Sequence, residues 1–178
     1  MNRGAAGTFL ADKKPALISY VSWGHQQLDF DVASYLSSEI PPAELITSVR
    51  GIVQYEDRIV VLENEDGRHF MPGGRLEPDE VFEVGLRREI REECGLLVDS
   101  AELLGFLHFR HLRPQPENYP YPYPDMFHLI YAVVASGELS QADEDGYEFA
   151  SYLYSAVDAL RLRDTEPGHP FLMRIAGI

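Results

Sequence analysis

The chain has 178 residues, of which 45% are hydrophobic and 25% are charged. With 29 acidic and 15 basic residues, its formal net charge is −14. These proportions are typical of a globular domain, and they exclude a mostly disordered chain, a collagen-like repeat and a membrane protein. So acidic a surface repels phosphate polymers and anionic lipids, which excludes a general nucleic-acid or membrane-surface binder. A small anionic ligand stays possible if a cation bridges it to the carboxylates.

Cysteine content and the N-terminal residues indicate the compartment. Cys94 is the single cysteine, so neither an intrachain disulfide nor a cysteine-based zinc site is expected. The N-terminal residues lack the apolar run of a signal peptide, and no stretch approaches about 18 consecutive apolar residues. We therefore expect a cytoplasmic protein.

The first predicted elements precede the main domain. Residues 1–14 have little periodicity, and we predict a flexible tail. Residues 15–44 are predicted to form an N-terminal extension with a strand, a second strand paired to it and a short helix (Ala16–Trp23, His25–Phe30 and Asp31–Glu39). The extension is too small for a domain of its own. We expect it to pack on the main fold or to form a homodimer contact.

Residues 45–178 are predicted to form the main domain. Runs rich in β-branched and aromatic residues, separated by turn signals, predict strands at 45–54, 59–63, 68–71, 102–110, 126–135 and 147–154. Helices are predicted at 79–94 and 156–163, and a C-terminal tail is expected to begin near Glu166–His169. Strands interleaved with two helices predict a layered α/β or α+β fold.

The segment Asp79–Cys94 has the pattern of an amphipathic helix, with Asp79 as a suitable N-cap and an apolar stripe suited to packing on a sheet (Phe82, Leu86, Ile90 and Cys94). Three carboxylates, Glu89, Glu92 and Glu93, converge on an adjoining face. Gly85 lies on that face one turn earlier, and its missing side chain would leave room for a ligand. The carboxylates are either a solvated charged face or oxygen ligands for Mg²⁺ or Mn²⁺.

The wider spacing favours the second hypothesis. Gly74 is followed after five residues by Glu80, and after seven more by Arg88-Glu89-Ile90, Arg91, Glu92-Glu93, Cys94 and Gly95-Leu96. This pattern resembles the Nudix box, G-x5-E-x7-R-E-U-x-E-E-x-G-U with U an aliphatic residue, and every specified position is filled. The resemblance covers residues 45–163 in element order and 72–96 in motif detail.

The resemblance implies a Nudix fold, an α/β/α sandwich with a mixed β-sheet, and hydrolysis of a nucleoside diphosphate linked to another group. It implies that Glu92 and Glu93 bind Mg²⁺ or Mn²⁺ and that Glu89 is a ligand or the general base. The Gly74 carbonyl would be a further ligand. An ion pair between Glu80 and Arg88 would hold the loop to the helix.

Accessory metal ligands and substrate-binding groups are sought outside the box. Among the acids at 143–148, Glu144 and Glu148 are favoured as an accessory ligand or base, with ordinary surface acids as the alternative. Residues 103–115 contain no acid but carry His108, Arg110 and Arg113, which form either a phosphate clamp or ion pairs with the acidic surface. Arg50 and Arg75 are weaker candidates of the same kind.

The segment Asn118–Asp125 reads NYPYPYPD, and its alternating prolines favour a stiff, extended conformation. The rings of Tyr119, Tyr121 and Tyr123 would either stack on a nucleobase or pack the loop on its own domain. Tyr121 is the candidate for substrate contact.

These residues together predict a metal-dependent hydrolase of a phosphoanhydride in a small nucleotide-like diphosphate. ADP-ribose or a nucleotide sugar is slightly favoured, because an extra N-terminal segment helps to build a dimer in some sugar-nucleotide members of the family. One alternative is a nucleoside triphosphate pyrophosphohydrolase, whose substrates could include oxidised nucleotides. The other is a Nudix domain that senses nucleotides without hydrolysing them.

Overall fold

A mixed sheet forms the centre of the protein. The computed structural model describes residues 4–23, 28–65, 67–140 and 150–178, without the side chains of 163–165. The strands are β1 Leu17–Trp23, β2 Leu28–Leu36, β3 Ile46–Tyr55, β4 Arg58–Asn64, β5 Gly67–His69, β6 Gly73–Arg75, β7 Leu97–His111, β8 Asp125–Ser136 and β9 Ala150–Tyr154. The helices are α1 Ala5–Phe9, α2 Phe82–Cys94, α3 Ala156–Ala159 and α4 His169–Ala176.

The strand order is β1-β2-β7-β8-β3-β4-β5, with β6 beside β3 and β9 beside β4. The β3–β8 pair is parallel, and the other pairs are antiparallel. Because side chains alternate between the faces of a strand, β8 contributes to two hydrophobic clusters, with Phe127 and Leu129 in one and Met126 and Ile130 in the other. The sheet therefore has an apolar layer on each face.

Helices cover both layers. The Phe127 side contains Leu86 and Ile90 of α2, and α2 lies close to β3, since a Cβ added at Gly51 would be 3.3 Å from Ile90 Cδ1. The other side contains Phe171 and Leu172 of α4 and Ala159 of α3. The predicted α/β/α sandwich with a mixed sheet is confirmed. Within the described part of the chain, none of the helices has the length and apolarity needed to cross a membrane.

The flexible tail predicted for residues 1–14 is wrong for α1. Ala6 is 4% exposed and belongs to the α2-side cluster. The ring of Phe9 lies 5.4 Å from that of Phe106, and Lys13 forms an ion pair of 3.0 Å with Glu39. The segment is too short to show helical periodicity, and burial of these few side chains holds it on the sheet.

The helix predicted over Asp31–Glu39 is also wrong, because residues as far as Leu36 belong to β2. This strand lies between β1 and β7, with Asp31 opposite Tyr20 on one side and Arg110 on the other. Hydrogen bonding to two neighbouring strands outweighs local helical propensity. The predicted pairing of the first two strands is correct, and the extension continues the main sheet.

At the C-terminus, the chain continues in α4 where a tail was expected from Glu166–His169. Phe171 and Leu172 of this helix are fully buried, and its end is capped by Gly177 in the left-handed conformation, with φ 68°. The second predicted helix is shorter than expected, ending at Ala159, and the Ser155 side chain accepts a hydrogen bond from Asp158 N at its start.

Candidate active site

The apolar stripe of α2 sets the direction of its carboxylates. Leu86, Ile90 and Cys94 are fully buried against the sheet. Glu89 therefore lies at the border of the buried face, with a side chain 12% exposed, whereas the Glu92 side chain is 55% exposed. The helix ends at Cys94, and Gly95 caps it in the left-handed conformation with a φ of 71°.

Strand β6 brings two glycines of the loop against these carboxylates. A Cβ added at Gly74 would be 2.5 Å from Glu89 Oε2, so only glycine leaves this carboxylate its position. The Gly73 N–H donates to Glu93 Oε2 at 2.7 Å. Gly73 has a φ of 131°, and an added Cβ there would be 2.3 Å from the Val49 carbonyl. This contact of Gly73 was not predicted from the sequence, although the Pro-Gly-Gly break next to the box is its signal.

Arg88 joins the loop to the helix. Its Nε and Nη2 donate to Glu80 Oε1 and Oε2, each at 2.9 Å. Its Nη1 donates to Glu89 Oε1 at 2.8 Å and Glu92 Oε2 at 3.1 Å, and Nη2 also donates to the Arg75 carbonyl at 3.1 Å. The ion pair expected between Glu80 and Arg88 is present, and the same guanidinium also neutralises two candidate ligands.

Gly85 makes room for the loop before the helix and not, as predicted, for a ligand. A Cβ added there would be 2.8 Å from Glu80 Oε2 and 2.8 Å from Leu76 Cδ2. The space therefore belongs to the loop that precedes the helix, and the ligand expected above the carboxylates has no room at this position. Nor is Asp79 the N-cap, because the helix begins at Phe82 and Asp79 lies in the preceding turn with a φ of 61°.

The surroundings act on the carboxylates in opposite directions. Burial raises the pKa of Glu89, against the lowering effect of the hydrogen bond from Arg88. The hydrogen bond from Arg88 lowers the pKa of Glu80. Glu80 is therefore a stable anion that anchors the loop, whereas Glu89 is the more basic carboxylate of the two.

The Glu89 carboxylate lies against Gly74, and carboxylate and carbonyl oxygens are donors that suit a hard divalent cation. Within the described ranges, however, His, Cys, Asp and Glu side chains do not gather in any group of three or more that could hold a metal ion. In this arrangement Arg88 binds Glu89 and Glu92, and the Gly73 N–H binds Glu93. The accessory candidates Glu144 and Glu148 lie outside the described residues.

The cations of the predicted phosphate clamp contact carboxylates. His108 Nε2 lies 2.8 Å from Asp125 Oδ1, and Arg110 lies 3.7 Å from the same oxygen. Arg113 forms an ion pair with Asp29, which also accepts hydrogen bonds from Tyr20 and Ser22. These contacts are the ion-pair alternative that the sequence left open. The contacts of Asp125 join β7 to β8, and the pair of Arg113 with Asp29 joins the N-terminal hairpin to the chain that follows β7.

Arg50 and His128 lie on one face of the sheet near the box. Arg50 Nη1 donates to the Met71 carbonyl at 3.0 Å. His128 lies opposite Ser48 in β3 and is 4% exposed, and its Nδ1 has no hydrogen-bond partner among the described residues. Burial, together with the charges of Arg50 and Arg75, holds the pKa of His128 well below its usual value. This histidine is therefore neutral.

Arg75 and Tyr121, predicted separately, are in contact. The Arg75 guanidinium carbon lies 4.1 Å from the centre of the Tyr121 ring, and Nη1 donates to the phenolic oxygen. Both residues line a cleft of about 570 Å³ whose other walls are the turn at Ala43–Thr47 and the loop at Leu76–Glu80. The chain between β7 and β8 thus meets the loop that leads into α2.

Comparisons with known proteins show the family and the fold. Residues 45–175 match the family described as NUDIX domain. A "MutT-like protein" of Streptomyces ambofaciens is 43% identical over 67 residues, which are 36% of this chain and 43% of that relative. The match thus spans less than half of the relative's length.

Solved structures resemble the fold. The Bacillus subtilis pyrophosphohydrolase BsRppH has a TM-score of 0.60 at 18% identity, covering 89% of this chain and 98% of that one. The dihydroneopterin triphosphate pyrophosphohydrolase of E. coli has a TM-score of 0.54 at 13% identity, covering 72% and 92%. The family match over most of the chain, the mixed sheet between helices and the filled motif on α2 lead to one conclusion: the chain belongs to the Nudix family.

Proposed function

We propose that this protein is a metal-dependent Nudix hydrolase that cleaves a phosphoanhydride bond in a nucleotide-like diphosphate. The observation that carries the proposal is the position of the Glu89 carboxylate, which lies against the backbone of Gly74 and is held by Arg88. Glu92 and Glu93 follow on the same helix, and together with Glu89 they are the oxygen donors that we assign to the cation. Mg²⁺ or Mn²⁺ is the cation that such donors suit.

The chain's own groups account for the movement of the proton. A bound divalent cation would neutralise the diphosphate charge and acidify the attacking water. As the water oxygen bonds to phosphorus and the anhydride P–O bond breaks, the water proton passes to a carboxylate and the leaving phosphate departs as an anion. Glu89 is the candidate base, because burial raises its pKa and so increases its affinity for a proton.

ADP-ribose or a nucleotide sugar is the substrate class that we favour. The cleft of about 570 Å³ beside the box is within the size range of small-molecule sites.

The N-terminal extension, residues 15–44, is a second reason for this choice, because a similar extra segment helps to build a dimer in some sugar-nucleotide members of the family. In the described sheet β1 is the outermost strand, and it exposes Ile18 and Tyr20 at 63% each. We propose that this edge contacts a second copy, and gel filtration of the full chain tests this, since a strict monomer would contradict it.

A substrate panel tests the activity. ADP-ribose, nucleotide sugars, dinucleotides and nucleoside triphosphates, including oxidised ones, are each incubated with and without Mg²⁺ or Mn²⁺. We expect hydrolysis of a diphosphate-linked substrate with the metal and no turnover after chelation. Preferred cleavage of triphosphates would assign the alternative substrate class, and binding without turnover of any compound would make the protein a nucleotide sensor.

The variant Glu93→Gln tests the role of the helix carboxylates. We expect a loss of metal-dependent turnover of about 100-fold or more, with the fold retained because a glutamine oxygen still accepts the Gly73 N–H bond. Glu83→Gln, which changes an exposed glutamate in the first turn of the same helix, is the matched control and should retain activity. Undiminished turnover in Glu93→Gln would remove Glu93 from the site.

A further inference from the structure

The segment between β7 and β8 contacts the box through one pair of side chains. The Tyr121 ring lies under the Arg75 guanidinium at 4.1 Å, and its hydroxyl accepts a hydrogen bond from Arg75 Nη1. Arg75 ends β6 and directly follows Gly74, the residue packed against the Glu89 carboxylate. A contact made 46 residues away in sequence thus reaches the loop that carries the candidate metal ligands.

The segment that carries Tyr121 is held on both sides of this residue, to β7 through Tyr119 and to the chain just after β7 through Tyr123. The Tyr119 hydroxyl lies 2.9 Å from His111 Nε2, and the rings of Tyr119 and Tyr121 are 5.4 Å apart, edge to face. The Tyr123 hydroxyl donates to the Arg113 carbonyl at 3.1 Å. Because its neighbours are fixed, Tyr121 is a firm support for the group that lies on it.

Arg75 differs from the other arginines of the predicted phosphate clamp. Arg110 and Arg113 pair with the carboxylates of Asp125 and Asp29. The ion pairs found between described residues do not include Arg75, whose guanidinium contacts the Tyr121 side chain in the wall of the cleft. A guanidinium held on an aromatic ring keeps donors for a phosphate. Arg75 is therefore a cation beside the box that is suited to bind an anionic ligand.

We infer that Tyr121 is a positioning residue whose ring and hydroxyl hold the Arg75 guanidinium in the cleft, where Arg75 binds the phosphate-bearing part of the substrate. The inference rests on the proposed function. It gives the NYPYPYPD segment a purpose other than stacking on a nucleobase, since the ring face of Tyr121 that Arg75 covers does not meet the substrate.

A graded series at Tyr121 separates the two contacts. Tyr121→Phe keeps the ring and loses the hydroxyl, and we expect KM to rise by about 2- to 10-fold. Tyr121→Leu also loses the ring, and we expect a further rise of about 2- to 5-fold. We expect kcat to stay unchanged in both variants, because the inference assigns Arg75 an equal contribution to the binding of substrate and of transition state. Tyr55→Phe is the matched control, because it removes a hydroxyl that donates to the Gly137 carbonyl and lies outside the Tyr121 segment, and it should leave KM at the wild-type value.

A double-mutant cycle shows whether Tyr121 acts through Arg75. In an Arg75→Gln background, Tyr121→Leu should have no further effect on KM, whereas an independent or merely structural role would give additive effects. Equal KM values for wild type, Tyr121→Phe and Tyr121→Leu, or a fall in kcat at constant KM, would also overturn the inference.

Calorimetry with inorganic pyrophosphate and Mg²⁺ gives a readout that needs no turnover. We expect the dissociation constant to rise in the order wild type, Tyr121→Phe, Tyr121→Leu, even if the panel of substrates finds no hydrolysis and the protein proves to be a sensor. An order that does not follow this series, or no pyrophosphate binding by the wild type, would contradict the position assigned to Arg75. Failure of catalysis and failure of this inference are thus distinguishable.

Discussion

Gly85→Ala is expected to destabilise the protein, although the same change in an open helix stabilises it. Gly85 lies in the fourth position of α2. In an exposed helix interior, alanine is favoured over glycine by about 0.5–1 kcal/mol. A solvated face or an empty ligand space beside Gly85 would therefore predict a gain in the free energy of unfolding.

In this structure Gly85→Ala is expected to lower the free energy of unfolding. The new Cβ would be 2.8 Å from Glu80 Oε2, an oxygen that accepts hydrogen bonds from Arg88 Nη2 at 2.9 Å and from Glu77 N at 3.0 Å. Displacing the carboxylate breaks at least one hydrogen bond to a charged group, which costs about 1.5–3 kcal/mol. After the helical gain is subtracted, we expect a net destabilisation of about 1–2 kcal/mol.

Urea unfolding of four proteins tests this reasoning: wild type, Gly85→Ala, Glu80→Ala and the double variant. In the Glu80→Ala background the carboxylate is absent, and Leu76 meets the new methyl only with the end of a flexible side chain. Gly85→Ala should then be neutral or stabilising, which gives a coupling between the two positions. If Gly85→Ala stabilises the otherwise unchanged protein by about 0.5–1 kcal/mol, the close packing of the loop on α2 is refuted.

Three further changes have defined outcomes. Gly74→Ala places a methyl in the position of the Glu89 carboxylate, and we expect turnover to fall by about 100-fold or more while the unfolding midpoint changes little. Phe171→Ala should lower the free energy of unfolding by about 3–5 kcal/mol, because this side chain of α4 is fully buried; a neutral effect in urea would contradict the packing of that helix. Hydrogen bonds from Ser22, Arg113 and Tyr20 lower the pKa of Asp29 to about 2. Asp29→Asn should therefore be less stable than wild type at neutral pH, and the difference should shrink as the pH falls below 3.8 towards about 2, whereas a constant difference would refute the ionic contribution.

The local features of the site are predictable from the sequence. The stripe of Leu86, Ile90 and Cys94 orients α2 because helical periodicity needs no knowledge of distant residues. The same periodicity places Glu89 beside the buried face, and the resemblance to the Nudix box implies the ion pair between Glu80 and Arg88. Most strands of the main domain are also predictable, since alternating apolar residues and turn signals are local patterns.

Tertiary structure decides the features that depend on distant partners. The strand β2 replaces a locally plausible helix because β1 and β7 supply hydrogen bonds on both of its sides. The helices α1 and α4 are short, so they exist through the burial of Ala6, Phe171 and Leu172 rather than through propensity. The sequence around these residues does not indicate which face of the sheet they pack against.

The same distinction holds for the individual contacts of the site. The sequence of α2 shows which donor types are available, because its carboxylates at helical spacing carry hard oxygen atoms. The contacts of these groups come from the fold, in which Gly85 makes room for Glu80, the Gly73 N–H binds Glu93 and Arg75 lies on Tyr121. Donor types are properties of single residues, whereas a contact depends on how chain segments far apart in sequence come together when the sheet forms.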